Sequence, residues 1–401
     1  MNRLQKQKNN RTSRPVANSK GFMKADEKRN SYMLKGRLEK KGYDWWWHCF
    51  SGINEETGEE KSFFIEYFLM NPALGKNEPI FGQLEENKKG NFHPSYMMVK
   101  AGCWGEDARQ IHRFFAWDRV QVNRDIFCLS AEDCLACDTK IQGSVSVSME
   151  EAGAHPEYMS DAGEMKWDLK VNHIIPFNVG YGAGKIFREL KAFEMYWHAA
   201  GMKTEYNGWV EYMGKRYRVS PKLCFGYADK NWGSDFTTPW VWLSSGDLVS
   251  NINGRPLNNS CFDIGGGKPK VFGISLNRKL LSAFCYEGKQ YEFNFSKFWT
   301  GCFTRFSAHE TDREVIWHVR QETRTAVMDV VIHCDKKDML MIRYESPEGL
   351  IRHDRLFNGG TGYGRVKLYE KCREGLLLID DMDVKHCGCE YGEFDHAGMR
   401  Y

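Results

Sequence analysis

A mainly β protein, built as two antiparallel β-barrels or sandwiches packed together with few short helices, is predicted by three observations. Aromatic residues make up 14% of the chain, and such residues favour pleated, half-buried surfaces. Short alternating runs recur at fairly even spacing, punctuated by turn residues among 38 glycines, the cadence of up-and-down β architecture. At 401 residues the chain exceeds the size at which a single core stops growing, so two units are expected, 31–255 and 256–395. Before them, residues 1–30 are basic and poor in apolar residues, and are expected to be a disordered tail.

The first ordered feature is a hairpin. Residues 42–51 hold three consecutive tryptophans, 52–58 form an acidic turn closed by glycine, and 61–70 form a second aromatic run. Alternation sets Asp44, Trp46 and His48 on one face and Trp45, Trp47 and Cys49 on the other. Both faces are rich in aromatics, as where a sheet curls around an interior and is also covered outside. Glu66 is central in the second strand. Either it lies among apolar neighbours, where desolvation raises its pKa, or it faces water. Residues 82–105 read as loop, and strands resume at 110–118, 119–130, 140–149 and 167–173. The best helical segment is 188–200, stopped by Gly201. Strands 204–212 and 215–219 then meet at a tight turn, Met213-Gly214. Beyond 245, strands are expected at 270–276, 280–286, 290–295, 302–307, 314–321, 325–334, 339–344 and 364–369.

Several function classes are disfavoured. A formal charge of +3 creates no field that would recruit nucleic acid, and basic residues are not striped with aromatics; only the tail could make transient membrane-surface contact. Thirteen scattered cysteines, with no secretory apolar region near the start, suit reduced thiols and a cytoplasmic setting. No apolar run approaches the ~18 residues of a membrane span. The Gly180-x-Gly182-x-Gly184 run lacks the Lys-Ser/Thr of a phosphate loop, and neither a Gly-x-Ser-x-Gly elbow nor a His-Glu-x-x-His motif is present. Cys134/Cys137 and Cys387/Cys389 lie far apart with unequal spacers, so they read as small buried hydrophobes rather than a zinc site. Neither metal nor cofactor is expected.

The chemistry concentrates in residues 225–245, where Asp229, Asp235, Lys230 and Asn231 stand among Trp232, Trp240 and Trp242. Aromatic walls with a few polar groups suit a pocket for a hydrophobic small-molecule ligand. An acid held protonated there can protonate a weakly basic group such as an alkene, and aromatic faces can stabilise the resulting cation. The same pattern also suits turn glycines followed by tryptophans that merely fill a β core.

These residues carry a resemblance. Ala228-Asp-Lys-Asn-Trp-Gly233, with Phe236, Trp240 and Trp242 following, is similar to the central motif of tocopherol cyclase-like proteins. Asp44-Trp-Trp-Trp-His48 resembles the aromatic hairpin that opens them and the related carotenoid hydratase and Diels-Alderase-type proteins. Gly362–Tyr369 and Lys385–Gly392 occupy the place of their closing strands. The resemblance implies a pair of lipocalin-like barrels or half-open sandwiches, and a cofactor-independent cyclisation, hydration or isomerisation of a prenylated or other hydrophobic molecule. Asn231 is too weak an acid for that step, so it falls to Asp229 or Asp235. Lys230 and Asn231 would orient a polar head, with Asp44, Trp45, Trp46, Trp47, His48, Glu66, Trp232, Trp240 and Trp242 around the ligand. The alternative is a non-catalytic lipocalin-like carrier, which needs the aromatic wall but no acid.

Overall fold

Strands Tyr43–Asn54, Glu60–Met70 and Tyr96–Cys103 are buried on both faces over most of their length. Only a sheet packed on both sides can bury its strands in that way. The computed structural model describes residues 22–177, 194–237, 240–268, 270–271, 274–275 and 279–392. Among these, twelve strands form one antiparallel sheet. It runs from Arg109–Phe115 through Tyr96–Cys103, Glu60–Met70, Tyr43–Asn54, Lys215–Val219, Met195–Tyr212, Gly163–Phe177, Lys140–Val147, Cys134–Cys137 and Cys128–Ala131 to Val120–Val122. Strand Gly226–Gly233 pairs with both Tyr43–Asn54 and Met195–Tyr212. A second sheet of eleven strands is built between Trp240 and Gly392, around the long hairpin Ile351–Cys372 and Gly375–Gly392.

Three cores follow from the alternation. One, containing Trp46, Phe63, Tyr67 and Trp167, fills the inside of the first sheet. Another, with Val241, Phe284 and Trp317, fills the second. The third draws on both, joining Tyr43, Trp47, Phe64 and Trp197 to Trp240, Trp242, Leu281 and Tyr344. The expected mainly β architecture, two packed antiparallel sheets with few short helices, is thus observed.

Several expected elements differ. The helix expected at 188–200 is, from Met195, part of strand Met195–Tyr212; residues 188–193, like 178–184 of the glycine-rich run, lie outside the described residues. Both faces of this strand are buried at its start, and an unbroken apolar run cannot be told from a buried helix by periodicity. For the same reason Tyr96–Cys103, expected as loop, is a fully buried strand. Residues Lys24–Asn30, assigned to the tail, form a helix that buries Asp26 and Asn30. The change of sheet falls between Gly233 and Trp240 rather than at 255, since Trp240–Ser245 and Asp247–Ser250 already pair with Gly375–Gly392. No described helix is long and apolar enough to cross a membrane.

Candidate active site between the two sheets

The register of three neighbouring strands assembles the polar groups of the middle layer. Across Tyr43–Asn54 and Gly226–Gly233, Trp45 opposes Asn231, Trp47 opposes Asp229 and Cys49 opposes Tyr227. Trp47 also opposes Glu66, and Glu66 opposes Lys100 on the next strand. Directly opposed residues project to the same face of a sheet. The whole set therefore points toward the second sheet, which supplies Asp263, Glu390, Trp240 and Trp242.

Each of three carboxyls receives an indole N–H. Trp197 Nε1 donates to Asp229 Oδ2 at 2.7 Å, Trp242 Nε1 to Asp263 Oδ1 at 3.1 Å and Trp240 Nε1 to Glu390 Oε2 at 2.6 Å. Asn358 donates to the other oxygen of Glu390 and accepts from Trp104 Nε1 at 2.7 Å. The Tyr227 hydroxyl lies 3.1 Å from Asp229 Oδ2 and 3.1 Å from Asp263 Oδ2. A phenol carries one proton and can donate it to only one of the two carboxyls. The other contact is a hydrogen bond only if that carboxyl is protonated and donates to the phenol oxygen.

The charges of the layer enforce the same state. Asp229, Asp263, Glu390 and Glu66 share it with one described ammonium, Lys100, whose Nζ is 2.8 Å from Glu66 Oε2 with both side chains fully buried. Lys100 also lies 4.2 Å from the centre of the Tyr344 ring, whose hydroxyl donates to Glu66 at 3.3 Å. Burial pushes Asp229 up to about 8, with the Glu390 charge adding and the Trp197 bond opposing. Asp263 is driven well above the carboxylate range by burial and by Asp229, and Glu390 is pushed up to about 7 by burial. Uncompensated carboxylates in an apolar layer take up protons instead of remaining charged.

The layer is not filled at this point. Trp45, Cys49 and Asp229 keep accessible surface while the residues flanking them on their strands are buried, and Glu390 keeps some as well. Asp229 Oδ1 has no hydrogen-bond partner among the described residues. A recess of about 30 Å³, lined by Cys49, Trp104, Tyr227 and Gly388, reaches the surface beside His386. There His386 bridges the sheets, with Nδ1 2.6 Å from Asp247 and Nε2 3.0 Å from Glu60. Those two carboxylates hold the imidazole up at about 9 against its burial.

Glycines make room for the indoles. A Cβ on Gly265 would stand 2.5 Å from the Trp197 ring, and one on Gly388 would stand 2.3 Å from the Trp242 ring. Gly265→Ala should therefore push Trp197 off Asp229. Overpacking of this kind costs about 1–3 kcal/mol, to be read by denaturant unfolding. The lost donor also removes support for ionised Asp229, so its pKa should rise further.

Most of the other predicted residues lie elsewhere. Asp44, Trp46, His48, Lys230 and Trp232 occupy the opposite face of the same strands by register; Trp46 packs in the core of the first sheet, and Trp232 against the core shared by the two sheets. Lys230 is hydrogen-bonded to Asp44, both fully buried, and its Nζ sits 3.5 Å from the centre of the Trp46 ring. Trp232 stacks on Tyr196 at 5.4 Å. His48 Nδ1 is 2.9 Å from the Tyr206 hydroxyl. Asp235 lies in the connection between the sheets, where Oδ1 accepts from the Phe236 amide at 2.9 Å. Asn231 is in the layer and accepts from the Tyr43 hydroxyl at 2.9 Å. Sequence reasoning missed Tyr227, Trp197, Asp263, Glu390 and Lys100. Only Tyr227 carried a local signal, two residues before Asp229; the others join through pairings distant in sequence. Among the described residues, no group of three or more His, Cys, Asp or Glu is arranged to hold a metal ion.

Comparison with known proteins adds the family. The profile described as tocopherol cyclase-like matches residues 70–393. Among solved structures, a candidate AttH from Nitrosomonas europaea is similar at 10% identity, with 96% of this chain and 100% of that chain covered and a TM-score of 0.46. CghA with Sch210972 follows at 8% identity, 89% and 90% coverage and a TM-score of 0.44. Kievitone hydratase from Nectria haematococca has 9% identity, 95% and 98% coverage and a TM-score of 0.41. No curated protein sequence matches the chain.

Proposed function

The chain belongs to the tocopherol cyclase-like family, and from that premise we propose that it is a cofactor-independent enzyme that protonates a hydrophobic small molecule, leading to cyclisation, hydration or isomerisation. The observation that carries this reading is Asp229. It shares the Tyr227 hydroxyl with Asp263, keeps Oδ1 unpartnered, and holds its proton up to about 8. A carboxyl that is neutral at physiological pH yet retains a free oxygen is suited to general-acid work.

The remaining roles follow from position. Asp229 delivers the proton to a carbon–carbon double bond, and the faces of Trp45, Trp47, Trp240 and Trp242 surround the cation that forms. Water capture or ring closure by an internal hydroxyl ends the sequence, with a proton returned to the carboxylate. Tyr227 and Asp263 can restore the proton of Asp229, since the phenol touches both. An isoprenoid tail would bind through apolar burial at about 0.8 kcal/mol per methylene.

The competing carrier reading needs no acid. Ligand extracted from purified protein and identified by mass spectrometry separates the two. An enzyme should yield a rearranged or hydrated product from the wild type and the unaltered precursor from Asp229→Asn. Recovery of the same unaltered molecule from both proteins would leave only the carrier.

A further inference from the structure

We propose that Cys128 and Cys137 form a redox-active dithiol, which a small-molecule disulfide oxidises to a disulfide between neighbouring strands. The pair lies in the first sheet, outside the carboxyl layer. Strands Cys128–Ala131 and Cys134–Cys137 form a hairpin whose loop is Glu132-Asp133, and Cys128 stands directly opposite Cys137.

The register decides the geometry. In a two-residue hairpin the pair flanking the loop, here Ala131 and Cys134, is hydrogen-bonded, and bonded and non-bonded pairs then alternate. Leu129 and Ala136 are the next bonded pair, which leaves Cys128 and Cys137 as a non-hydrogen-bonded pair. Such pairs bring their Cα atoms to about 4.5 Å with the side chains on one face, within the ~4.4–6.8 Å that a disulfide spans.

Access singles this pair out. Cys128 and Cys137 are free thiols and both are half-buried. Two other pairs are close in space, but both are sealed in the interior. Cys261 stands opposite Cys285, and Cys334 is hydrogen-bonded to Cys389, all four being buried. A disulfide reagent must approach in line with the attacking sulfur, so the half-buried pair reacts first.

The electrons balance against the reagent. A thiolate of the pair attacks one sulfur of glutathione disulfide, releasing one glutathione thiolate and forming a mixed disulfide. The second cysteine, deprotonated, displaces the other glutathione. One disulfide has been exchanged for another, and two protein thiols have lost their hydrogens to two glutathione thiols.

The link would close the open end of a hairpin that anchors the N-terminal helix. Asp138, next to Cys137, accepts from Asn30 Nδ2 at 2.6 Å, and the Asn30 carbonyl accepts from Trp46 Nε1 at 2.7 Å. Oxidation should therefore raise the melting temperature by restricting the unfolded chain.

The test uses the full chain, equilibrated with graded ratios of oxidised to reduced glutathione, alkylated, digested and weighed. A peptide linking Cys128 to Cys137 is expected at ratios that leave Cys261, Cys285, Cys334 and Cys389 alkylated. Cys137→Ser should instead trap Cys128 as its glutathione adduct. The double variant Cys128→Ser/Cys137→Ser should fold, and its melting temperature should not respond to oxidised glutathione. Separate glutathione adducts on the two wild-type cysteines, persistence of both as thiols at every ratio, earlier oxidation of an interior pair, or an equal upward shift in the double variant would each overturn the proposal.

Discussion

Lys230→Met is expected to destabilise the protein by roughly 3–5 kcal/mol, the cost of leaving one partner of a buried ion pair behind. Asp44 is fully buried, and its carboxyl is held by Lys230 and by the Met33 amide at 2.7 Å. Burial pushes Asp44 up to about 6 even with Lys230 opposing, and lowers Lys230 to about 8. Without the ammonium, Asp44 must take up a proton or stay charged in an apolar interior. Its folded-state pKa then lies further above the unfolded value of about 4. A raised carboxyl favours the fold at low pH, and that contribution is lost as pH rises. The deficit of Lys230→Met should accordingly be smaller at pH ~5 than at pH ~8. The double variant Asp44→Leu/Lys230→Met removes both charges and should recover most of the loss. Urea unfolding of the three proteins decides it, and a double variant no more stable than the single would refute the ion-pair account.

Turnover should fall by about 10²–10⁴-fold in Asp229→Asn, the range supplied by a positioned acid. The wild-type profile carries the sign of the effect. Asp229 is protonated below about 8, so the rate should hold on the acid side and decline as pH rises through that value. Stability runs in the same direction. The folded pKa of Asp229 is raised, so its contribution is complete below about 4, where the unfolded chain is protonated too, and is lost as pH climbs through about 8. Asp229→Asn should flatten that part of the stability curve. Tyr227→Phe breaks the link to Asp263 without removing the acid, and should lower repeated turnover more than a single protonation event. A rate that declines through pH 8 in Asp229→Asn as it does in the wild type would assign the proton to another group.

Much of this could be read locally. The aromatic hairpin, its alternation and the acid at Asp229 depend on spacing within one or two strands, and a strand's two-residue period is a local property. Strand Met195–Tyr212 shows where local reading fails. Its buried opening residues, including Trp197 and His198, have no polar face to reveal the period, so a sheet covered on both sides was mistaken for a helix. Asp263 and Glu390 were missed for another reason. Asp263 is the one carboxyl of an otherwise apolar strand and Glu390 one of several acids on a long strand, and only the pairing of Trp240–Ser245 with Cys261–Gly267 and Gly375–Gly392 gives each an indole donor.

Composition and periodicity alone were enough to establish a β-rich chain in two units, with tryptophans set beside acids. Which acids meet was decided only when the two sheets packed. Alternation turns neighbouring residues to opposite faces, so Lys230 is buried within the first sheet while Asp229, its immediate neighbour, faces the second. Sequence order cannot say which face will be covered by what, because the cover comes from strands more than a hundred residues away in some cases, as where Tyr344 of the second sheet meets Glu66 of the first. The raised pKa of Asp229 is thus a property of the packed layer: low polarizability, few cations and neighbouring carboxyls make the charged form costly there.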